Sequence, residues 1–273
     1  MPSGPTSNAT MTEAVVLQEQ AVPGSVPRFR LAEWEERFGV RAGITGRGDG
    51  PGRGFDLGLW TDAPAGEVMG RWRQFRAAMP GFSGVVLGTQ VHGTGVVWHD
   101  RADGWVQLEG VDGHATATPG ILLTITVADC IPVYLLAPEQ RVIALLHAGW
   151  RGTAGGILDG ALELLERQAK VLPADLVMHC GVGICGGCYE VGPEVLEAVG
   201  LRGDDRGPWH VDLRERLVEQ GVAAGIPEIT VSGWCPAHHR ELFYSHRASG
   251  GSDGRMVAYL GLPLAIDAPP IPR

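Results

Sequence analysis

Between Gly120 and Leu146 the chain runs through three apolar stretches, Gly120 to Val127, Ile131 to Leu136 and Arg141 to Leu146, with only a few residues between them. Apart from Thr124 and Thr126 they are continuous rather than alternating. A strand with one wet face would show that alternation, so each reads as a strand covered on both faces. Whatever else the chain does, its other elements must supply the cover.

The breaks around these strands carry the chemistry. Gly88-Thr89-Gln90-Val91-His92-Gly93 follows a shorter strand from Gly84 to Leu87, Ala128-Asp129-Cys130-Ile131-Pro132 separates two of the long runs, and His147-Ala148-Gly149-Trp150-Arg151-Gly152 ends the third. Each puts a soft-metal donor, His92, Cys130 or His147, where an apolar run gives way to Gly or Pro, and so at a strand end. Two imidazoles and one thiolate suit zinc, and three protein ligands leave a fourth position open for water or substrate, as in catalytic sites. No pair has a short zinc spacing, so the residues alone also allow two ordinary histidines and a buried small thiol. Asp129 reads either as a group orienting a ligand or as a turn former.

Further strands are expected over Gly95 to His99, Leu176 to Cys180, Glu228 to Ser232 and Met256 to Leu260. Amphipathic helices are expected over Ala65 to Met79, Ile157 to Ala169, Glu194 to Val199 and Val211 to Ala224. Arg28 to Phe38 reads as an amphipathic or extended entry. The glycine-dense stretch through Gly54 cannot hold regular structure, and Arg47 and Arg53 in it can meet an anion or simply face water. The same two readings apply to Arg151, in a glycine-rich turn ahead of a helix. Gly181-Val182-Gly183-Ile184-Cys185-Gly186 matches a dinucleotide fingerprint but opens no helix at once, so it is not read as one. His179, Cys180, Cys185 and Cys188 crowd one segment. They could be read as a second metal cluster, but strand neighbours point to opposite faces, so His179 and Cys180 do not converge easily, and the thiols read instead as structural or loosely redox-active and not as ligands of the catalytic metal.

A net charge of −9 with no dense basic cluster excludes a general nucleic-acid binder. No apolar segment reaches the length of a membrane span. Five cysteines in 273 residues cannot all pair and point to a reducing cytoplasm. Residues 1–27, rich in Pro, Ser, Thr and Gly, are expected to form a disordered leader ahead of one domain over 28–273. The sequence leaves the oligomeric state open.

Taken together, Thr89-Gln90-Val91-His92-Gly93, Asp112-Gly113, Ala128 to Val133, His147 to Gly152, Cys188-Tyr189-Glu190-Val191-Gly192, Asp212-Leu213 and the tail from Phe243 to Met256 resemble the multicopper polyphenol oxidase or laccase-domain family, described also as the FAMIN-type zinc-dependent purine nucleoside phosphorylases. The resemblance implies an α/β layered fold with mixed sheets and flanking helices, distantly similar to cysteine hydrolases of the cytotoxic necrotising factor type. It also implies about one zinc per chain on His92, Cys130 and His147, phosphorolysis of adenosine, inosine, guanosine and methylthioadenosine, and deamination of adenosine. Within it, Gln90 is the candidate donor to the purine, and Arg47 and Arg151 are the candidate phosphate cations. Asp56, Gly70 and His246 stand where the family usually has Asn, Asn and Tyr. Two rival readings keep the same residues: a copper-dependent polyphenol oxidase, since histidine and cysteine also suit copper, and a cysteine hydrolase with Cys130 as nucleophile and His147 as its base. Nine histidines without one His-x-His group argue against several copper centres.

Overall fold

The computed structural model of the protein describes residues 14–49, 54–203 and 206–264. Two seven-stranded mixed sheets dominate it. The first is ordered β1 (Val15–Val16), β15 (Glu228–Val231), β12 (Val177–Cys180), β10 (Ile131–Ala137), β11 (Val142–Ala148), β8 (Gly113–Thr116) and β6 (Val96–Trp98). The second is ordered β2 (Gln20–Val22), β3 (Arg28–Arg30), β4 (Arg41–Thr45), β16 (Met256–Gly261), β9 (Ile121–Val127), β5 (Gly84–Thr89) and β7 (Gly104–Glu109). A short ribbon pairs β13 (Glu190–Val191) with β14 (Trp209–His210).

The three apolar strands became β9, β10 and β11, each buried at every residue. Alternate side chains explain how. Ile125 and Val127 meet Tyr134, Leu136, Ile143 and Leu145 in a core between the two sheets. Val133, Leu135, Ala144 and Leu146 face the other way, against α4 (Ile157–Ala169), α5 (Pro193–Ala198) and α6 (Leu213–Ala224). On the far side Leu122, Val257 and Tyr259 pack under α2 (Ala65–Ala77). The order of layers is helix, sheet, sheet, helix. Double cover comes from this layering and not from a parallel sheet, because β10 and β11 pair antiparallel. In α4 the buried stripe Leu158, Ala161, Leu162 and Leu165 keeps the three- and four-residue spacing of one helical face. Each buried leucine there contributes about 1.5–3 kcal/mol over an exposed one.

Several elements were not apparent in the sequence. β8 is four residues long and includes His114, α1 (Ala32–Phe38) follows β3 in the stretch left as amphipathic or extended, and α3 (Trp150–Ala154) begins inside the glycine-rich turn. Of the leader expected over 1–27, residues 1–13 lie outside the described residues, and 14–27 correct the expectation. β1 pairs with β15 and β2 with β3. Between them Glu19, 2% exposed, accepts a hydrogen bond from Ser232 Oγ at 2.6 Å and lies 3.2 Å from His179 Nε2. A polar, proline-containing segment is held by a buried carboxylate that composition does not reveal. On β12 the neighbours separate as expected, His179 into the core between the sheets and Cys180 into the core under the helices.

Three connections carry the chain from the second sheet to the first: β5 to β6, β7 to β8 and β9 to β10. β5 is parallel to both β7 and β9, so all three connections leave from the same edge.

Candidate active site

That edge gathers the chemistry. The crossovers deliver His92, Asp112 and Cys130, and β11 brings His147, the last residue but one of its strand rather than a residue beyond it. One donor atom from each of His92, Cys130 and His147 lies within 4.8 Å of the others, and the two imidazole centroids are 4.9 Å apart. His92 (φ 59°) and Asp129 (φ 85°) both hold left-handed backbone. Residues other than glycine rarely adopt it, and it persists only where surrounding contacts fix it.

Asp112 supplies those contacts at His92. Fully buried, it accepts the backbone N–H groups of Val91, His92 and Gly93 at 3.2, 3.0 and 2.8 Å, and its Oδ1 lies 2.9 Å from His147 Nδ1. With Nδ1 occupied by the carboxylate, His147 offers Nε2 to the cluster, the arrangement that fixes a metal-binding tautomer. Burial opposes ionisation of Asp112, but the His147 bond and the Gly93 and Val91 amides outweigh it and hold the carboxyl below its ordinary value. Burial likewise works against the Cys130 thiolate, yet the charge of His147 and hydrogen bonds from both histidines bring the thiol down from 9.0 to about 6. Burial also resists the His147 imidazolium, and Cys130 and Asp112 carry it from 6.5 to about 9. Without a cation, Cys130 and His147 are therefore a thiolate and an imidazolium. Gly149 completes the fit, since a Cβ there would stand 3.1 Å from Cys130 Sγ and 3.2 Å from His92 Cδ2. Two oriented imidazoles and a ready thiolate are a donor set that can hold a zinc-like ion.

The three donors line a cavity of about 550 Å³, within the range of small-molecule sites. Arg151, Arg247 and Arg255 line it too, and among the described residues none of them forms a salt bridge. Trp60, Trp150 and Tyr189 add aromatic surface. Arg151 lies over the Trp150 ring at 4.3 Å and Arg247 over Tyr189 at 5.2 Å, so stacking holds both guanidinium groups in place.

The sequence candidates part company here. Gln90 lines the cavity, its Oε1 filled by the Thr126 amide and hydroxyl at 2.7 and 2.8 Å and one of its N–H bonds given to the Thr126 carbonyl at 2.8 Å. The second N–H remains for a ligand. Arg151 lines it as well. Arg47 does not line it: its guanidinium is 3.1 Å from Asp253 Oδ1 and 5.0 Å from the Tyr244 ring. Arg53 lies outside the described residues. Asp56 is buried and its Oδ1 accepts the N–H groups of Gly58 and Arg255, each at 2.8 Å, which makes it the tie between two cavity-lining segments. Asp129 serves as a turn residue and a tether, its Oδ2 accepting the Arg247 N–H at 2.6 Å. Burial raises its carboxyl pKa against the Arg247 amide and the Ser245 hydroxyl. Sequence reasoning gave no role to Asp112, Arg247 or Arg255, although the first belongs to a quoted phrase and the other two to the quoted tail.

The family model described as multi-copper polyphenol oxidoreductase laccase matches residues 37–263. A purine nucleoside phosphorylase of Deinococcus radiodurans is 39% identical over 238 residues, 83% of this chain and 88% of that protein. The purine nucleoside phosphorylase YlmD of Geobacillus stearothermophilus is 34% identical over 248 residues, 82% of this chain and 90% of its own length. A protein named adenosine deaminase RL5, from an unknown prokaryotic organism, is 36% identical over 160 residues, covering 54% of this chain and 61% of that one. The crystal structure of the Geobacillus YlmD superposes with a TM-score of 0.81 at 30% identity, covering 90% of this chain and 99% of that one.

Proposed function

The chain belongs to the family described as multi-copper polyphenol oxidoreductase laccase, and we propose that within it this chain is a zinc-dependent purine nucleoside phosphorylase that also deaminates adenosine. Adenosine, inosine, guanosine and methylthioadenosine are its nucleosides in this reading, and residues 28–273, joined by β1 and β2, act as one domain. The observation that carries it is a single cavity holding three soft-metal donors beside three guanidinium groups free of carboxylate partners among the described residues. Relatives named purine nucleoside phosphorylase, and one named adenosine deaminase, support it.

Phosphorolysis needs a phosphate dianion held against the sugar's anomeric carbon and charge stabilised on the departing purine. Guanidinium groups fork onto phosphate oxygens. Arg151, Arg247 and Arg255 take that role, and Arg47, tied to Asp253 away from the cavity, passes to them the part first assigned to it. The aromatic faces of Trp60, Trp150 and Tyr189 suit a flat base, and the remaining Gln90 N–H reaches a purine acceptor. A zinc ion held by His92, Cys130 and His147 would supply Lewis acidity and a water activated near neutral pH. Asp112 contributes by fixing the tautomer of His147 and the backbone turn of His92.

The test is metal analysis of the purified protein, with inosine assayed with and without phosphate and adenosine assayed without it. Hypoxanthine release that requires phosphate, lost in Cys130→Ala along with the ion at the triad, is expected. A zinc-loaded protein that releases no base from any of the four nucleosides would sink the reading.

The thiolate and imidazolium state of Cys130 and His147 favours a second reading, a cysteine hydrolase related to those of the cytotoxic necrotising factor type. His92 decides against it here, because a nucleophile and base need no third soft donor. A polyphenol oxidase using several coppers asks for more histidines than this cavity holds: among the described residues it is lined by His92, His147 and His246. No helix among the described residues is long and apolar enough to cross a membrane. Five free thiols fit a reducing cytoplasm as the site of action.

A further inference from the structure

Two thiols near the cavity wall have no part in this chemistry. Cys185 and Cys188 sit on the turn after β12, and the loop after β15 brings Cys235 and His238 against them. One donor atom from each of the four lies within 4.8 Å of all the others. Both pairs occupy tight turns: the Cys188 N–H donates to the Cys185 carbonyl at 3.0 Å, and the His238 N–H to the Cys235 carbonyl at 3.1 Å. The turns are joined by the Cys185 N–H, which donates to Cys235 Sγ at 3.4 Å. The His238 ring fits between the remaining sulfurs, with Nε2 3.1 Å from Cys188 Sγ and Nδ1 3.8 Å from Cys185 Sγ.

We propose that Cys185, Cys188, Cys235 and His238 bind a second zinc ion, with a structural role. Three sulfurs and one imidazole, without a carboxylate, form the closed tetrahedral set of structural zinc, and Cys-x-x-Cys with Cys-x-x-His has the matching ligand spacing. All five cysteines are free, so no disulfide competes in this structure. None of the four residues lines the cavity, which separates this site from the triad.

Its position says what it does. The turn carrying Cys185 and Cys188 also carries Ile184 and Tyr189, and the loop carrying Cys235 and His238 leads into His246 and Arg247; all four of these neighbours line the cavity. Arg247 already reaches across, donating to the Glu190 carbonyl at 2.6 Å. Asp212, which caps α6 by accepting the Arg214 N–H at 2.9 Å, accepts the Gly186 N–H at 3.0 Å. The ion clips two loops from different parts of the chain into one wall of the cavity. Binding releases the thiol protons, so it weakens at low pH.

The sequence alone pointed elsewhere. The visible crowd was His179, Cys180, Cys185 and Cys188, of which the first two do not converge with the others, and the partners that complete the set stand a long way on in the chain, in Cys235-Pro236-Ala237-His238.

Elemental analysis of protein purified under reducing conditions tests this. Wild type should carry about two zinc ions per chain, and Cys130→Ala and the double variant Cys185→Ser/Cys188→Ser about one each. Chelator-stripped Cys130→Ala refilled with Co2+ alone should show intense thiolate-to-cobalt absorption, which the added substitution of Cys188 by Ser diminishes. If the double variant folds poorly, His238→Ala, at an exposed position, should still lower the second zinc's occupancy and leave the triad's ion in place. A wild type with one zinc, lost entirely in Cys130→Ala, would overturn the proposal and leave the triad standing. A double variant that keeps two ions, or alkylation showing two of these thiols joined in a disulfide with no second metal, would overturn it as well.

Discussion

Asp112→Asn is the change that isolates how the triad is held. The carboxylate accepts four hydrogen bonds: His147 Nδ1 and the His92 N–H on Oδ1, and the Val91 and Gly93 N–H groups on Oδ2. An amide of the same shape can fill only one of those oxygen positions. If its oxygen faces Val91 and Gly93, its NH2 confronts the His92 amide and obliges His147 Nδ1 to accept, which puts the ring proton on Nε2, the atom needed by the metal. If it is turned the other way, the partly buried N–H groups of Val91 and Gly93 lose their acceptor. Unmet buried donors cost about 1–3 kcal/mol each, and with Val91 exposed and Gly93 half-buried folding stability should fall by about 1 kcal/mol in the second arrangement. In either arrangement metal affinity should fall about 10–100-fold, the usual effect of removing the group that orients a ligand. That is about 1.4–2.7 kcal/mol of binding. Zinc competition against a chromophoric chelator reads the affinity, and urea denaturation of the chelated protein reads the fold. Affinity within threefold of wild type, with stability unchanged, would refute the reasoning.

Two further outcomes follow from the site. In chelated protein, iodoacetamide should modify Cys130 with a midpoint near pH 6, rising with pH because the thiolate is the reactive form. Cys180, pushed up to about 12 by burial, should stay inert; a Cys130 midpoint near 9, or no protection on adding zinc, would contradict the geometry. Arg151→Ala should weaken inosine phosphorolysis at least about tenfold through its phosphate dependence and change adenosine deamination much less. Arg47→Ala, acting only through the Asp253 tie, should cost less than Arg151→Ala, and the reverse order in steady-state kinetics at varied phosphate would return the anion to Arg47.

The sequence made the strands around the site legible because β9, β10 and β11 are apolar throughout but for Thr124, Thr126 and the Tyr134 hydroxyl, with no charged side chain to turn outward before His147. It also showed His92, Cys130 and His147, since each stands where an apolar run breaks. Their convergence was not legible without a resemblance, because the crossovers that bring them together are long-range pairings of β5, β7 and β9 with no local signal. Asp112 escaped for a related reason. A buried aspartate before a glycine reads as a turn, and only the fold shows three amides and an imidazole aimed at it. Arg47 misled because a cation in a glycine-rich loop looks available until Asp253, more than two hundred residues on, is placed beside it.

The three crossovers have a mechanical consequence. His92 and Cys130 ride on chain that passes between the sheets, while His147 is fixed within the first. An ion gripping all three would act as a rivet through the seam of the sandwich. Its loss should free the sheets to slide at that edge while the middle core stays packed, so that amide exchange after chelation rises first in residues 90–93 and 128–130 at an opening free energy well below that of global unfolding.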